Sequence, residues 1–212
     1  PNYLRVGLDL RTDFRGKGAI NLRISHNRHW LTPSGTEWRN RVQLGETLGL
    51  YSEKVTLDTV PDGAVIAIPA DATNQARALF LIADAGLITL DVKADDPGLD
   101  YSQITPETNV TSNPKNISWL KIDRPQLAAT LKDPKVTLSI INGNYALEAG
   151  LTPATDALKL ESAENNPYAN VLVVKEALKD DPRVVKVNEA LTSPELQKFI
   201  EDSFKGSVLP AK

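Results

Sequence analysis

The stretch Ile68–Ile88, IPADATNQARALFLIADAGLI, contains the end of a strand, a turn and a long apolar helix. Asp71 or Thr73 can cap this helix, and Gly86 can end it. A strand followed at once by a helix is the unit from which α/β sheets are built. One residue does not fit the pattern. Arg77 lies in the first turns of the helix, where a positive charge opposes the helix dipole.

Beyond Gly45, strand patterns and helix patterns alternate along the chain, which predicts an α/β fold with largely parallel sheets. The predicted strands are Val65–Ile68, Ile117–Ile122, Lys135–Asn142 and Asn166–Lys175. The predicted helices after the first are Arg124–Asp133, Tyr145–Gly150, Asp181–Leu191 and Ser193–Phe204. Residues 1–45 show no comparable pattern.

Composition excludes several classes of protein. The net charge of −3 gives no overall attraction to nucleic acid or to an anionic membrane. No apolar run approaches the roughly 18 residues that span a bilayer. With no cysteine, the chain has no disulfide, thiol nucleophile or thiolate metal site. Because methionine is also absent, we expect a processed or truncated form, from which a signal peptide or lipidated cysteine would already be missing.

Residues 1–45 differ from the rest in charge. They hold seven of the ten arginines and a net charge of +5, so the remainder carries −8. A basic arm that binds nucleic acid is one interpretation. The acidic remainder and the lack of a known binding module argue against it, and we predict no nucleic-acid partner. His26 and His29 have H-x-x-H spacing without an evident helix or carboxylate partner, so we predict no metal and no cofactor.

Arg77 is the first candidate binding residue. A helix N-terminus offers free N–H groups and arginine offers a forked pair of donors, which together suit a carboxylate. The alternative is a solvated arginine that pairs with a nearby acid such as Asp71. If Arg77 binds an anion, its replacement by alanine should weaken binding by several kcal/mol and change stability little.

Two asparagines are further candidates. Asn142 ends a buried strand, at the edge where α/β sheets bind ligands, although it could also be an ordinary helix cap. Asn170 lies within a strand pattern, where asparagine is disfavoured unless it faces water at an edge. A small α/β enzyme is a competing interpretation. The sequence shows no nucleophile elbow, phosphate loop or dinucleotide fingerprint, so we predict no catalytic residues.

Three motifs identify a resemblance. They are VPDGAVIAIPADATNQARAL (60–79), IINGNYALEAGLTP (140–153) and NPYANVLVV (166–174). In order and spacing they resemble the NlpA/MetQ family of substrate-binding lipoproteins of ABC transporters, from Gly45 to about Gly206. The resemblance implies a two-lobed periplasmic-binding-protein fold with a mixed sheet in each lobe and helices on both faces. Lobe 1 would be residues 1–52 plus 168–212, with 1–45 unaligned, and lobe 2 would be 53–167.

The resemblance also implies a function without catalysis. An extracytoplasmic solute-binding protein would capture an amino acid, with L- or D-methionine favoured, and deliver it to an ABC permease and its ATPase. It would be a monomer, periplasmic or on the cell surface, held to the membrane by a lipid anchor. Arg77 would bind the ligand's α-carboxylate, and Asn142 and Asn170 its polar end. Another amino acid, a short peptide, or a remnant that no longer binds are the alternatives.

The composition of residues 1–45 predicts that limited proteolysis cuts there first and leaves a fragment that begins near Gly45. Few apolar residues in this segment have strand or helix spacing, so little burial offsets an ordering cost of roughly 1–2 kcal/mol per residue. Mass spectrometry of the digest would identify the cut sites. Equal resistance of both parts to protease would contradict the prediction.

Overall fold

The computed structural model describes residues 5–8, 22–25, 37–164 and 166–210, with side chains from residue 45 onward. In these residues the strands are β1 (Arg5–Leu8), β2 (Leu22–Ser25), β3 (Glu37–Gly45), β4 (Leu48–Tyr51), β5 (Val65–Pro69), β6 (Thr89–Leu90), β7 (Val110–Ser112), β8 (Ser118–Ile122), β9 (Leu138–Asn142), β10 (Lys159–Leu160), β11 (Asn170–Lys175) and β12 (Val208–Pro210). The helices are α1 (Ala72–Asp84), α2 (Pro106–Asn109), α3 (Gly143–Glu148), α4 (Pro153–Asp156), α5 (Pro182–Leu191) and α6 (Pro194–Phe204). His26 and His29, and much of the segment 1–45, lie outside the described residues.

The strands form two five-stranded sheets and a small two-stranded one. The first sheet has the order β12-β3-β11-β1-β2, and the second has the order β10-β4-β9-β5-β8. In the second sheet β5 runs parallel to β8 and β9, whereas β4 runs antiparallel to β9 and β10. In the first sheet only the β1–β11 pair is parallel. The prediction of largely parallel sheets was therefore wrong, and the mixed sheets implied by the resemblance are observed.

The front of the chain contributes to the first sheet. β1, β2 and β3 all fall within residues 1–45, where no strand was predicted from the sequence. β3 lies between β11 and β12, and β1 lies between β11 and β2. These pairings join the first residues of the chain to its last, so local sequence patterns gave no indication of them.

The central strands of the second sheet, β4, β5 and β9, are buried on both faces. Leu48 and Leu50 of β4 pack with α1 on one face, together with apolar residues of β5 and β9. Tyr51 faces the opposite side, where it packs with Leu127 and Leu131. Side chains that alternate between two apolar layers are the expected pattern for a strand covered on both sides. The segment predicted as helix Arg124–Asp133 instead forms two short 3₁₀ turns, Arg124–Gln126 and Ala128–Lys132.

The helix of the opening motif forms as predicted. Asp71 is the cap residue, and its side chain accepts a hydrogen bond from the backbone N–H of Asn74 at 3.1 Å. The cap satisfies one of the free N–H groups of the first turn and puts a carboxylate where the helix dipole favours it. The helix ends at Asp84, and Gly86 follows with φ of 76°, a conformation that glycine adopts without strain.

The chain passes from the first sheet to the second at Glu46 and Thr47. Thr47 is fully buried, and its hydroxyl donates to the carbonyl oxygen of Gly206 at 2.7 Å. Its backbone N–H donates to the carbonyl of Ser207 at 3.1 Å, and its carbonyl accepts from Gly143 N–H at 2.7 Å. Since β4 already belongs to the second sheet, the crossing precedes the boundary predicted after residue 52. Three separate segments of the chain therefore meet at Thr47.

Gly206 lies so close to the backbone of Ala154 that a side chain there would collide with it. Replacement of Gly206 by alanine tests this contact. Gly206 has φ of 88°, and a Cβ there would lie 2.7 Å from the backbone nitrogen of Ala154. We expect a loss of about 1–2 kcal/mol from the left-handed backbone and about 1–3 kcal/mol more from overpacking. The unfolding midpoint in urea measures the change.

Gly150 provides the matched control. It has a similar φ of 83°, but a Cβ there would meet nothing within 4 Å. Gly150→Ala should therefore cost only the backbone part. Equal losses of stability in the two variants would show that the close contact between residue 206 and Ala154 contributes nothing to the cost of Gly206→Ala.

Candidate functional site

Arg77 is buried on the side of α1 that faces the crossing between the sheets. Only 8% of it is exposed. Its Nε and Nη2 both donate to the carboxylate of Glu161, at 3.1 Å and 2.5 Å. Nη2 also donates to the carbonyl oxygen of Glu46 at 2.9 Å, and Nη1 donates to Asn74 Oδ1 at 3.2 Å. The alternative of a solvated arginine that pairs with Asp71 was wrong, because Asp71 instead lies 3.4 Å from Arg124.

Glu161 is the acid that makes this burial possible. It follows β10, and its side chain is 12% exposed. Besides binding Arg77, its Oε2 accepts the backbone N–H of Leu48 at 3.0 Å. Burial lowers the pKa of Arg77, but the attraction and hydrogen bonds of Glu161 outweigh that effect and the pKa is raised overall. The ion pair ties α1 to the start of β4.

Arg77 also reaches the segment that leads into β11. Its guanidinium carbon lies 4.8 Å from the centre of the Tyr168 ring, within the range of a cation–π contact. Tyr168 belongs to the NPYAN motif, two residues before Asn170. Arg77 thus contacts both the chain crossing at Glu46 and the segment that leads into β11.

Asn142 is joined to Arg77 through Asn74. The Nδ2 of Asn142 donates to Asn74 Oδ1 at 3.3 Å, the same oxygen that accepts from Arg77. Asn142 is fully buried, and its own Oδ1 has no hydrogen-bond partner among the described residues. An unpaired buried carbonyl costs free energy, which binding of an N–H donor would recover. As predicted, Asn142 ends β9, but its side chain does not cap the helix that follows.

Asn170 is the third predicted residue, and it belongs to the other sheet. It begins β11 in the first sheet and is half-buried. Its Nδ2 would be 3.3 Å from a Cβ at Gly45, so it packs beside the crossing. Within the described part of the chain its side chain makes no hydrogen bond to Arg77 or Asn142. Its proposed role therefore rests on the resemblance and on its position at the crossing.

Sequence reasoning missed two residues of this network, Asn74 and Glu161. Asn74 stands in the TNQARAL motif, three residues before Arg77, so helical spacing places it on the same face. Glu161 is 84 residues from Arg77 in sequence, and its short strand gives no local signal of a long-range ion pair. Only the fold brings the two together.

A cavity of about 640 Å³ lies beside the ion pair, with Arg77 and Glu161 on one wall. The other walls are mainly apolar and aromatic, and include Phe80, Leu81, Ile88, Leu90, Tyr101 and Tyr168. Asn142 and Asn170 do not line it. Among the described residues, no group of three or more histidine, aspartate or glutamate side chains could hold a metal ion. None of the helices in this part of the chain is long and apolar enough to cross a membrane.

Sequence comparison connects the chain to known proteins. Residues 42–212 match the family model described as NlpA lipoprotein. The methionine-binding lipoprotein MetQ of Bacillus subtilis strain 168 is 36% identical over 167 residues, which cover 78% of this chain and 58% of that protein. Lipoprotein 28 of Escherichia coli strain K12 is 35% identical over 207 residues, which cover 95% of this chain and 73% of that protein. The second match therefore includes most of residues 1–45.

Structure comparison finds substrate-binding proteins. A nutrient binding protein from Burkholderia cenocepacia bound to methionine is 37% identical with a TM-score of 0.59, over 82% of this chain and 70% of that one. A periplasmic substrate-binding protein of an ABC transporter from Coxiella burnetii is 38% identical with a TM-score of 0.60, over 84% and 72%. The predicted two-lobed α/β fold is confirmed. The chain spans little more than half the length of the Bacillus relative.

The buried ion pair changes the expectation that Arg77→Ala would leave stability unaffected. Either Arg77→Ala or Glu161→Ala would leave one buried charge without its partner, and we expect each to cost about 3–5 kcal/mol. Urea unfolding without ligand measures the loss. Arg124→Ala is the control, because its pair with Asp71 is 39% and 45% exposed and should contribute at most about 1 kcal/mol. Equal effects of the three variants would contradict the assignment.

Proposed function

This chain belongs to the NlpA lipoprotein family, and from that membership we propose that it binds an amino acid, methionine first, for delivery to an ABC permease. The relatives named above include a methionine-binding lipoprotein and a protein bound to methionine. The chain spans 58% of the length of the Bacillus MetQ. The ligand and the partners of this chain are therefore part of the proposal.

One observation carries the proposal. A buried arginine and a buried, unpaired amide oxygen belong to one hydrogen-bonded network, through Asn74. An amino acid carries a carboxylate that needs donors and an ammonium group that needs acceptors, and both need partners when they leave water. Within the described part of the chain, the network has one free N–H donor, on Arg77, and one free acceptor, the Oδ1 of Asn142. Four of the five N–H groups of Arg77 are bonded among the described residues, which leaves one on Nη1 beside Asn74.

We assign the roles accordingly. Arg77 binds the ligand's α-carboxylate, Asn142 accepts from its ammonium group, and Asn170 adds a contact from the first sheet as the two lobes close. No step of this requires catalysis, a metal or a cofactor. The remaining parts of the proposal follow from the family. The protein acts outside the cytoplasm as a monomer, anchored by lipid to the membrane, next to a permease and its ATPase.

Calorimetric titration with L-methionine, D-methionine and the other common amino acids tests the function directly. The protein is first unfolded and refolded so that any co-purified ligand is removed. Methionine at about 100 times its dissociation constant should add roughly 2.7 kcal/mol to the free energy of unfolding. Failure of every amino acid to bind or to shift the melting temperature would favour the alternative, a family remnant that no longer binds. A different amino acid as the tightest ligand would correct only its identity.

Asn170→Ala tests the contribution of the first sheet. Loss of a hydrogen bond to a charged ligand group should weaken methionine binding about tenfold to a hundredfold. Because Asn170 is half-buried, stability without ligand should change little. Gln103→Ala is the control, since Gln103 is exposed in a turn far along the chain from these motifs. Unchanged affinity in the Asn170 variant would remove this residue from the site.

A further inference from the structure

The charges around Asn74 occur in opposite pairs. Arg77 is bonded to Glu161, and Arg124 lies against Asp71. Glu46, whose carbonyl accepts from Arg77, is exposed and adds a further negative charge at the edge. Among the described residues, this region therefore has no surplus of positive charge with which to hold a plain anion. A carboxylate entering it would meet an arginine whose charge Glu161 already balances.

The orientation of Asn142 is fixed by a chain of hydrogen bonds that begins at Asp71. The Nδ2 of Asn74 donates to both carboxylate oxygens of Asp71, at 2.9 Å and 3.2 Å. A carboxylate only accepts, so Asn74 must turn its Oδ1 the other way, toward Arg77 and Asn142. That oxygen in turn accepts from Asn142 Nδ2. The amide of Asn142 is therefore not free to rotate, and its Oδ1 is the atom left unpaired.

A second amide oxygen, two residues further along the chain, is in the same condition. The Oδ1 of Asn144, in the first turn of α3, is buried without a hydrogen-bond partner among the described residues. Each of these two unpaired acceptors costs free energy, which an N–H donor on a ligand would recover. A carboxylate has none at neutral pH, whereas an ammonium group has three.

We propose that Glu161 and Asn74 determine specificity by making the site accept amino-acid zwitterions and reject carboxylates that lack an ammonium group. This rests on the proposed function. Glu161 cancels the charge of Arg77, so a ligand without net charge is favoured over an anion. Asn74 holds Asn142 with its oxygen presented, so a ligand without N–H donors leaves that oxygen unpaired. Both residues act through a neighbour and are positioning residues in this sense.

The probes are L-methionine and 4-(methylsulfanyl)butanoate, which has hydrogen in place of the ammonium group. In the unaltered chain, calorimetry should give a dissociation constant for the butanoate at least about a hundredfold above that for methionine. Glu161→Gln keeps the size of the side chain and one acceptor for Arg77 but removes the negative charge. We define the ratio as the dissociation constant for the butanoate divided by that for methionine. In Glu161→Gln this ratio should fall by about tenfold or more, because the uncompensated arginine attracts the anion.

Glu164→Gln is the matched control. It removes the same charge three residues away, from an exposed side chain on the wall of the same cavity. Its ratio should equal that of the unaltered chain, and an equal fall in both variants would overturn the proposal, since it would show a general effect of net charge. Methionine binding with an unchanged ratio in Glu161→Gln would overturn it while leaving the proposed function intact.

The two dissociation constants of the unaltered chain also test the inference by themselves. A ratio near one overturns the inference even if Glu161→Gln does not fold. If neither probe nor any amino acid binds, both the proposed function and this inference are overturned. That result differs from the ones above, in which methionine binds and only the inference fails.

Discussion

The ion pair between Arg77 and Glu161 is the interaction on which the arrangement of the candidate site depends. Taking two charges out of water costs several kcal/mol for each ion, and their attraction offsets this only when hydrogen bonds satisfy the remaining atoms. Here Leu48 N–H donates to Glu161. Among the described residues, the carbonyl of Glu46 and the amide of Asn74 complete the partners of Arg77 except for one N–H, on Nη1. The pair therefore fixes the position of α1 relative to the first residues of the second sheet.

The same contacts define the backbone at the crossing. Glu46 has φ of 53°, a left-handed conformation that is uncommon for a residue with a side chain. Its carbonyl is held by Arg77, and the next residue, Thr47, is held by the C-terminal segment. A conformation of this kind persists where the surrounding structure imposes it. The candidate site and the junction between the two sheets thus share one set of hydrogen bonds.

The sequence predicted well what is local. The strand, cap and helix around Asp71 follow from adjacent residues. It also placed Arg77 in the first turns of α1 and Asn142 at the end of a buried strand. What failed was non-local. The direction of β4, the strands β1 to β3 and the partner of Arg77 depend on residues far apart in the chain, and no periodicity encodes such pairings. The helix predicted at Arg124–Asp133 failed for a different reason, because its apolar spacing also fits two 3₁₀ turns under Tyr51.

The hydrogen bond from Thr47 to Gly206 spans 159 residues, and this has a consequence for the order in which the protein is assembled. The strands of the second sheet all come from residues 48–160, so that sheet can form while the rest of the chain is still being made. The first sheet cannot, because the neighbours of β3 are β11 and β12, from the last 45 residues. Closing so long a loop delays the contacts that it brings together. Until β11 and β12 have been made, the unpaired edges of β3 are exposed to other chains, and this is the period in which the protein most needs protection from aggregation.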